Sequence, residues 1–149
     1  MAEIKEIIEF AIKKEIEAYD LYSGIAKNSN NPAVQKLLEE LANDELGHKE
    51  ALENLSRAEE ILNFDIDEVQ DLKLSDHLQT TTIDEDSDLQ ETLVFAMKEE
   101  KGAYELYTRM SKAAKTESNA TVFQKLAHME LIHKNKLETL YDDMFYADN

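Results

Sequence analysis

The pattern Glu-x-x-His occurs twice in the chain, and a further glutamate precedes the glutamate of each copy by 30 residues. The six residues are Glu15, Glu45, His48, Glu100, Glu130 and His133. Residues three positions apart lie on the same face of a helix, so each Glu-x-x-His could bind one ligand between a carboxylate and an imidazole. Carboxylate oxygens and imidazole nitrogens are also ligands of divalent metal ions. We therefore interpret the six side chains as candidate metal ligands.

The charge of this set indicates two metal ions and not one. Four carboxylates and two neutral imidazoles carry four negative charges, which two divalent ions would balance. Carboxylates in a core need a counter-charge because burial penalises an unpaired charge. One Glu-x-x-His alone could be surface decoration in a chain with 33 acidic residues, and one core histidine is more often hydrogen-bonded than a ligand. The recurrence of all six residues in register favours the di-metal site.

Four helices are predicted to position these residues, because apolar residues recur at alternating steps of three and four. The predicted elements are a first helix over 3–28, a second from 32 to about 62, a third from about 87 and a fourth after a break at 115–119. Each helix has one apolar face, which on the fourth runs from Phe123 to Met144. The candidate ligands are the polar interruptions of these faces.

Local signals mark the start of two helices. Asn31 is a good N-cap, followed by Pro32 at the first position of the second helix. Ser87 and Gln90 have the spacing of a capping box and predict the start of the third helix.

The two halves of the chain repeat at an offset of 85 residues without a gap. Glu15 and Tyr22 in the first half match Glu100 and Tyr107 in the second, and the two Glu-x-x-His motifs also match. The repeat predicts a duplicated helical hairpin, in which each hairpin supplies half of one site.

Residues 63–86 lack the helical pattern and form a predicted connection of 24 residues, with a short helical piece near Glu68–Leu72. A helix of about 28 residues is roughly 42 Å long. An extended chain covers about 3.3 Å per residue, so the connection can return along that length. The prediction is an all-α, single-domain four-helix bundle over 1–149 with one long crossover between the second and third helices.

Composition excludes several classes of function. The net charge of -17 argues against binding to nucleic acid or to an anionic membrane, since both need a basic surface. The absence of cysteine excludes disulfides and thiolate iron centres, including a fused rubredoxin. Without an apolar run long enough for a signal peptide or a membrane span, a cytoplasmic location is expected.

The sequence resembles the ferritin-like di-iron carboxylate proteins, and among them the rubrerythrin group. The motifs that carry the resemblance are Glu15-x-x-Ala18-x-x-x-Tyr22, Glu45-x-x-His48, Glu100-x-x-Ala103-x-x-x-Tyr107 and Glu130-x-x-His133. The resemblance implies a ferritin-like bundle with one glutamate from each of two helices and one Glu-x-x-His from each of the others.

The resemblance also implies a role for each residue. Glu15 and Glu100 would be terminal ligands, and Glu45 and Glu130 would bridge the two ions. His48 and His133 would each bind one ion. Tyr22 and Tyr107 would donate hydrogen bonds to ligand carboxylates, although ordinary core tyrosines are the alternative. Four leucines would keep the site dry: Leu41, Leu52, Leu126 and Leu137.

The expected function is therefore a redox enzyme with two iron ions, in which manganese could serve and zinc could substitute. It would reduce peroxide or dioxygen to water, using an external electron donor. The chain has Ala103 where the peroxidase rubrerythrins that it resembles carry an additional glutamate. A homodimer is expected, and the long connection would allow its hairpins to be exchanged. The two leftover histidines, His77 and His128, are predicted to lie on the surface.

Two other classes of function stay open. One is iron oxidation and storage in the manner of ferritin, or iron binding without turnover. The other is a helical interaction module with a structural metal or none, whose function would not depend on Glu45 or Glu130.

Overall fold

The computed structural model of the protein describes residues 4–57, 64–65 and 88–146. These residues form four long helices, as predicted. They are α1 (Ile4–Asn28), α2 (Pro32–Arg57), α3 (Leu89–Ala113) and α4 (Glu117–Phe145). The predicted continuation of the second helix to residue 62, the piece near 68–72 and His77 lie outside the described residues.

The caps of these helices follow the sequence signals in part. The side chain of Asn31 accepts hydrogen bonds from the backbone N–H of Ala33 at 2.9 Å and of Val34 at 3.4 Å, which confirms it as the N-cap of α2. The start of α3 was predicted wrongly, because Asp88 is its cap and accepts from the backbone N–H of Glu91 at 2.7 Å.

Two further corrections concern α3 and α4. Gln90 does not complete a capping box, because its amide donates to the hydroxyl of Tyr141 at 2.8 Å. Thr116 caps α4 by accepting from the backbone N–H of Asn119 at 3.1 Å, so the break between α3 and α4 is narrower than predicted.

The direction of each helix follows from contacts between the two halves. Short links make α1 antiparallel to α2, and α3 antiparallel to α4. Tyr22, late in α1, bonds Glu100 near the middle of α3, whereas Glu15, earlier in α1, bonds Tyr107, later in α3. α1 and α3 are therefore antiparallel, and α2 and α3 run in the same direction. The end of α2 and the start of α3 lie at opposite ends of the bundle, so the fold requires the predicted crossover.

The core consists of two apolar clusters that are separated by the polar residues at mid-bundle. One cluster includes Ile7, Leu52 and Phe123, and the other includes Leu38, Leu93 and Leu137. The apolar face of α4 was predicted too long, because Met144 is 38% exposed. In the described part of the chain, no helix is both long enough and apolar enough to span a membrane.

Candidate metal centre

The structure brings all six predicted ligand residues together at the middle of the bundle. α1 and α3 each contribute one glutamate, and α2 and α4 each contribute one Glu-x-x-His pair. All six are buried: Glu15, Glu45, His48, Glu100, Glu130 and His133. Since their helices reach the same depth, the two halves of the repeat complete a single site.

The six side chains form two overlapping groups of four. The first group is Glu15, Glu45, His48 and Glu130. The second group is Glu45, Glu100, Glu130 and His133. Within each group, one ligand atom per residue lies within 4.8 Å of the others. Glu45 and Glu130 are common to both groups, so they stand where carboxylates that contact two ions would have to stand.

Imidazole nitrogens lie close to the carboxylates of this centre. Nδ1 of His48 lies 3.0 Å from Oε1 of Glu130, 3.1 Å from Oε1 of Glu45 and 3.5 Å from Oε2 of Glu15. Nδ1 of His133 lies 3.2 Å from Oε1 of Glu45. Both rings thus direct the same nitrogen to the centre, and they stack with centroids 5.8 Å apart.

One atom of each ligand residue is buried and lacks a hydrogen-bond partner among the described residues. These atoms are Glu15 Oε2, Glu45 Oε1, His48 Nδ1, Glu100 Oε2, Glu130 Oε1 and His133 Nδ1. Several of them are close enough for ion-pair contact, but they do not meet in hydrogen-bond geometry. Buried polar atoms are nearly always satisfied in folded proteins. Six unsatisfied atoms that face one point therefore fit divalent metal ions.

The electrostatics of the carboxylates show how costly this cluster is without metal. Burial, followed by the charge of Glu45, raises the pKa of Glu15 to about 7. The same two causes raise the pKa of Glu100 above its usual range. Burial raises the pKa of Glu130 far above its usual range, and the charge of Glu100 adds to that shift. Without metal, the cluster does not hold four negative charges at neutral pH.

The imidazoles respond in the opposite direction to burial. Burial alone would lower the pKa of each ring, but the carboxylates outweigh it. Glu15 and Glu45 raise the pKa of His48 to about 9, and Glu100 and Glu45 raise that of His133 to about 10. Burial would raise the pKa of Glu45, yet its contacts with the two imidazoles lower it. Protons on the rings thus supply the positive charge that metal ions would supply.

Two buried tyrosines hold the glutamates of the opposite repeat. The hydroxyl of Tyr22 on α1 donates to Oε1 of Glu100 on α3. The hydroxyl of Tyr107 on α3 donates to Oε1 of Glu15 on α1, at 2.8 Å. Burial and the adjacent carboxylate raise the pKa of each phenol well above its usual value, so both remain donors. Each bond occupies one carboxylate oxygen and leaves Oε2 facing the centre.

Asp44 belongs to the centre but was missed in the sequence. Its Oδ2 lies 3.0 Å from Nε2 of His133. Asp44 precedes Glu45 and lies off the apolar face, so the helical period gave no signal for it. An acidic residue beside a ligand on the neighbouring helix would have been the available sign.

A cavity of about 110 Å³ lies between α1 and α3 and ends at the carboxylates. Its apolar walls include Phe10, Leu21, Phe95 and Leu106, and Ala103 also lines it. At its edge Nζ of Lys14 contacts Oε1 of Glu99 at 3.1 Å. Both side chains are partly exposed, whereas the carboxylates behind them are buried. The cavity can admit a small molecule to the centre.

The remaining predicted residues lie as expected where the structure describes them. The four leucines expected around the site are buried: Leu41, Leu52, Leu126 and Leu137. His128 is exposed, which confirms its predicted surface position.

Carboxylates and imidazoles that converge inside a four-helix bundle with one crossover define the class of ferritin-like di-metal carboxylate proteins. The rubrerythrin family profile matches residues 6–141. The chain therefore belongs to the rubrerythrin family of ferritin-like di-iron carboxylate proteins.

Solved structures share the fold. A hypothetical protein from Pyrococcus furiosus is 24% identical with a TM-score of 0.77, and the alignment covers 99% of this chain and 93% of that protein. A proposed ferritin-like diiron-carboxylate protein from Thermotoga maritima is 23% identical with a TM-score of 0.74, with 96% and 97% covered. A search of curated proteins gives no significant match.

Proposed function

We propose that this protein is a di-iron oxidoreductase that reduces peroxide or dioxygen, with an external electron donor. The observation that supports it best is the set of six buried, unpartnered donor atoms at the inner end of a small cavity. When bound, two ferrous ions would supply the two electrons for the reaction H₂O₂ + 2 e⁻ + 2 H⁺ → 2 H₂O. The metal would also be the redox cofactor for dioxygen.

The proposed ligands follow the two groups of side chains. Glu15 and His48 would serve one ion, Glu100 and His133 the other, and Glu45 and Glu130 both. Each Nδ1 and each unpartnered carboxylate oxygen already faces the centre. Oxygen and imidazole donors without thiolate suit iron and manganese, and zinc could occupy the same donors without supporting redox chemistry.

The protein's own contribution is to hold the ligands and to limit what reaches them. Tyr22 and Tyr107 fix the orientation of Glu100 and Glu15 through hydrogen bonds. The apolar walls of the cavity favour a small molecule of low charge over a bulky or anionic one, because they offer few hydrogen bonds. Peroxide and dioxygen satisfy both conditions of size and charge.

The electron donor is proposed to be a separate protein or small molecule. The 149 residues contain no cysteine, so this chain cannot build a rubredoxin centre of its own. The acidic surface would favour a donor with a basic patch.

The decisive experiment begins with elemental analysis of protein purified without added metal. Anaerobic loading with ferrous iron should give two ions per chain. Stopped-flow absorption after mixing with peroxide or aerated buffer should then show rapid oxidation, and a chemical reductant should restore the ferrous state through repeated cycles.

Matched variants make the result specific. Glu45→Ala and Glu130→Ala should lose most of the bound iron, whereas Glu50→Ala, an exposed position on α2, should not. Less than one ion per chain, unchanged by Glu45→Ala, would contradict the di-metal site. Iron uptake that continues far beyond two ions per chain would instead support storage.

The homodimer with exchanged hairpins and the cytoplasmic location remain predictions. Light scattering would measure the mass in solution, and a cage of the ferritin kind would be far larger than a dimer.

A further inference from the structure

The two histidines of the centre are not equivalent, although the repeat places them at matching positions. On the side away from the carboxylates, Nε2 of His133 lies 3.0 Å from Oδ2 of Asp44. This contact fixes the ring as an Nε2–H donor and leaves the lone pair of Nδ1 directed to the centre. The side chain of His133 is 0% exposed, so the ring is held on all sides.

His48 lacks this support. The residue of the second half that corresponds to Asp44, at the repeat offset of 85, is Met129. A thioether cannot replace a carboxylate as a strong acceptor. Among the described residues, His48 contacts acceptors only through Nδ1, and its side chain is 10% exposed. Its ring orientation is therefore set by packing and by the centre itself.

A carboxylate behind a metal-binding histidine fixes the tautomer and raises the basicity of the nitrogen that binds the metal. Loss of such a partner typically lowers metal affinity by about 10- to 100-fold. We propose that Asp44 is a positioning residue that makes the two metal positions unequal. The position served by Glu100 and His133 fills first and holds its ion tightly, while the position served by Glu15 and His48 fills second and exchanges.

This inference rests on the proposed di-metal function but goes beyond it. It assigns a different role to each ion: one stays in place, and the other can leave or be replaced. The ligand sets of the two positions are otherwise alike, since each has one unshared glutamate, two shared glutamates and one histidine. The asymmetry therefore resides in a single pair of corresponding residues, Asp44 and Met129.

Two stepwise affinities alone would not test the idea, because the first ion repels the second in any di-metal site. The test must identify which position fills first. Mn²⁺ is a suitable probe because it binds such sites weakly among first-row ions and keeps the dissociation constants measurable. Free Mn²⁺ is quantified by electron paramagnetic resonance in metal-free buffer under anaerobic conditions.

The first comparison is between His48→Ala and His133→Ala. His48→Ala keeps the supported position and should bind its first ion about 10- to 100-fold more tightly than His133→Ala does. Equal affinities in the two variants would overturn the proposal. Absence of Mn²⁺ binding by the wild-type protein would instead contradict the proposed di-metal function, so the two failures are distinguishable.

The second comparison assigns the effect to Asp44. Asp44→Asn in the His48→Ala background should lower the affinity for the first ion about 10- to 100-fold. The same change in the His133→Ala background should leave the affinity unchanged, because the ring that Asp44 supports is absent. Asp44→Glu, which retains a carboxylate, should restore part of the lost affinity.

A merely structural role of Asp44 makes a different prediction. It would lower the affinity in both backgrounds, together with the melting temperature of the metal-free protein, and that result would overturn the proposal. The Asp44 side chain is 39% exposed, so its replacement is compatible with folding, which circular dichroism would verify. The exchange variant Asp44→Met with Met129→Asp should make His48 the more important histidine for the first ion.

Discussion

Tyr22 donates its hydroxyl hydrogen to Glu100, which belongs to the other half of the repeat. The corresponding bond, from Tyr107 to Glu15, runs in the opposite direction between the same two helices. Each hairpin therefore positions a carboxylate of its partner hairpin. Neither hairpin could orient its own terminal glutamate in this way, so the centre exists only when both hairpins pack together.

Tyr22→Phe should destabilise the metal-free protein by about 1–3 kcal/mol, because it leaves a buried carboxylate oxygen of Glu100 without a partner. Thermal unfolding of metal-free protein would measure the change. Tyr19→Phe is the matched control on the same helix, since its hydroxyl bonds none of the described residues. Similar melting temperatures for the two variants would contradict the importance of the Tyr22 bond.

Glu130→Gln should stabilise the metal-free protein at neutral pH while it abolishes binding of the second ion. Burial and neighbouring carboxylates raise the pKa of Glu130 far above its usual value. The unfolded chain releases this proton near its ordinary pKa of 4.5, whereas the folded protein keeps it. Folding stability is therefore lost as pH rises above 4.5.

Glutamine does not titrate, so the advantage of Glu130→Gln should be small at pH 5 and should grow towards pH 8. Melting temperatures of the metal-free proteins at several pH values would measure it. Glu50→Gln, on the exposed face of α2, is the control and should show no such trend. A stabilisation independent of pH would mean that the charge of Glu130 is not the cause.

Much of the fold and of the centre could be predicted because both obey the helical period. A buried face repeats every three or four residues, and an acidic residue on that face is conspicuous. The duplicated pattern then multiplies the signal, since Glu15 and Glu100 occupy matching places. The long connection followed from its length, and the directions of α2 and α3 agree with it.

The features that were missed depend on contacts between helices, which the helical period does not encode. Asp44 lies off the buried face and has a role only because α4 brings His133 to it. Asp88 and Ser87 both fit an N-cap one residue apart, and the contact of Gln90 with Tyr141 is tertiary. The Lys14–Glu99 pair was also missed, although its residues are repeat partners separated by 85 positions.

Ala103→Glu would place a fifth carboxylate beside the cavity, one turn after Glu100 on α3. In the metal-free protein this added charge should cost about 1–3 kcal/mol of stability, because the cavity is poorly solvated. Glutamate occupies this place in the peroxidase rubrerythrins that the chain resembles. We therefore expect the rate with peroxide to rise relative to that with dioxygen, by up to about 10²-fold.

Stopped-flow oxidation of the ferrous-loaded protein by each oxidant would give the two rates. Ala103→Gln has nearly the same shape without the charge, so it should leave the ratio of rates unchanged. A rise of equal size in both variants would attribute the effect to the volume of the side chain and not to its carboxylate.

Removal of the Lys14–Glu99 pair should widen the entrance to the cavity. The two side chains meet at 3.1 Å between α1 and α3, and both line the cavity outside the buried carboxylates. Replacing both by alanine avoids an unpaired charge, and the stability should fall by only about 1 kcal/mol or less. Metal content should not change, because neither residue belongs to the six proposed ligands.

The expected readout is selectivity for the size of the oxidant. A cavity of about 110 Å³ admits hydrogen peroxide more readily than tert-butyl hydroperoxide. The double alanine variant should therefore accelerate oxidation of the ferrous-loaded protein by the bulky peroxide more than oxidation by hydrogen peroxide. Lys13→Ala, an exposed neighbour on α1, is the control and should accelerate neither. If the double variant accelerated both peroxides equally, the pair would act on the centre through its charge, and if neither rate changed, the oxidant would enter by another route.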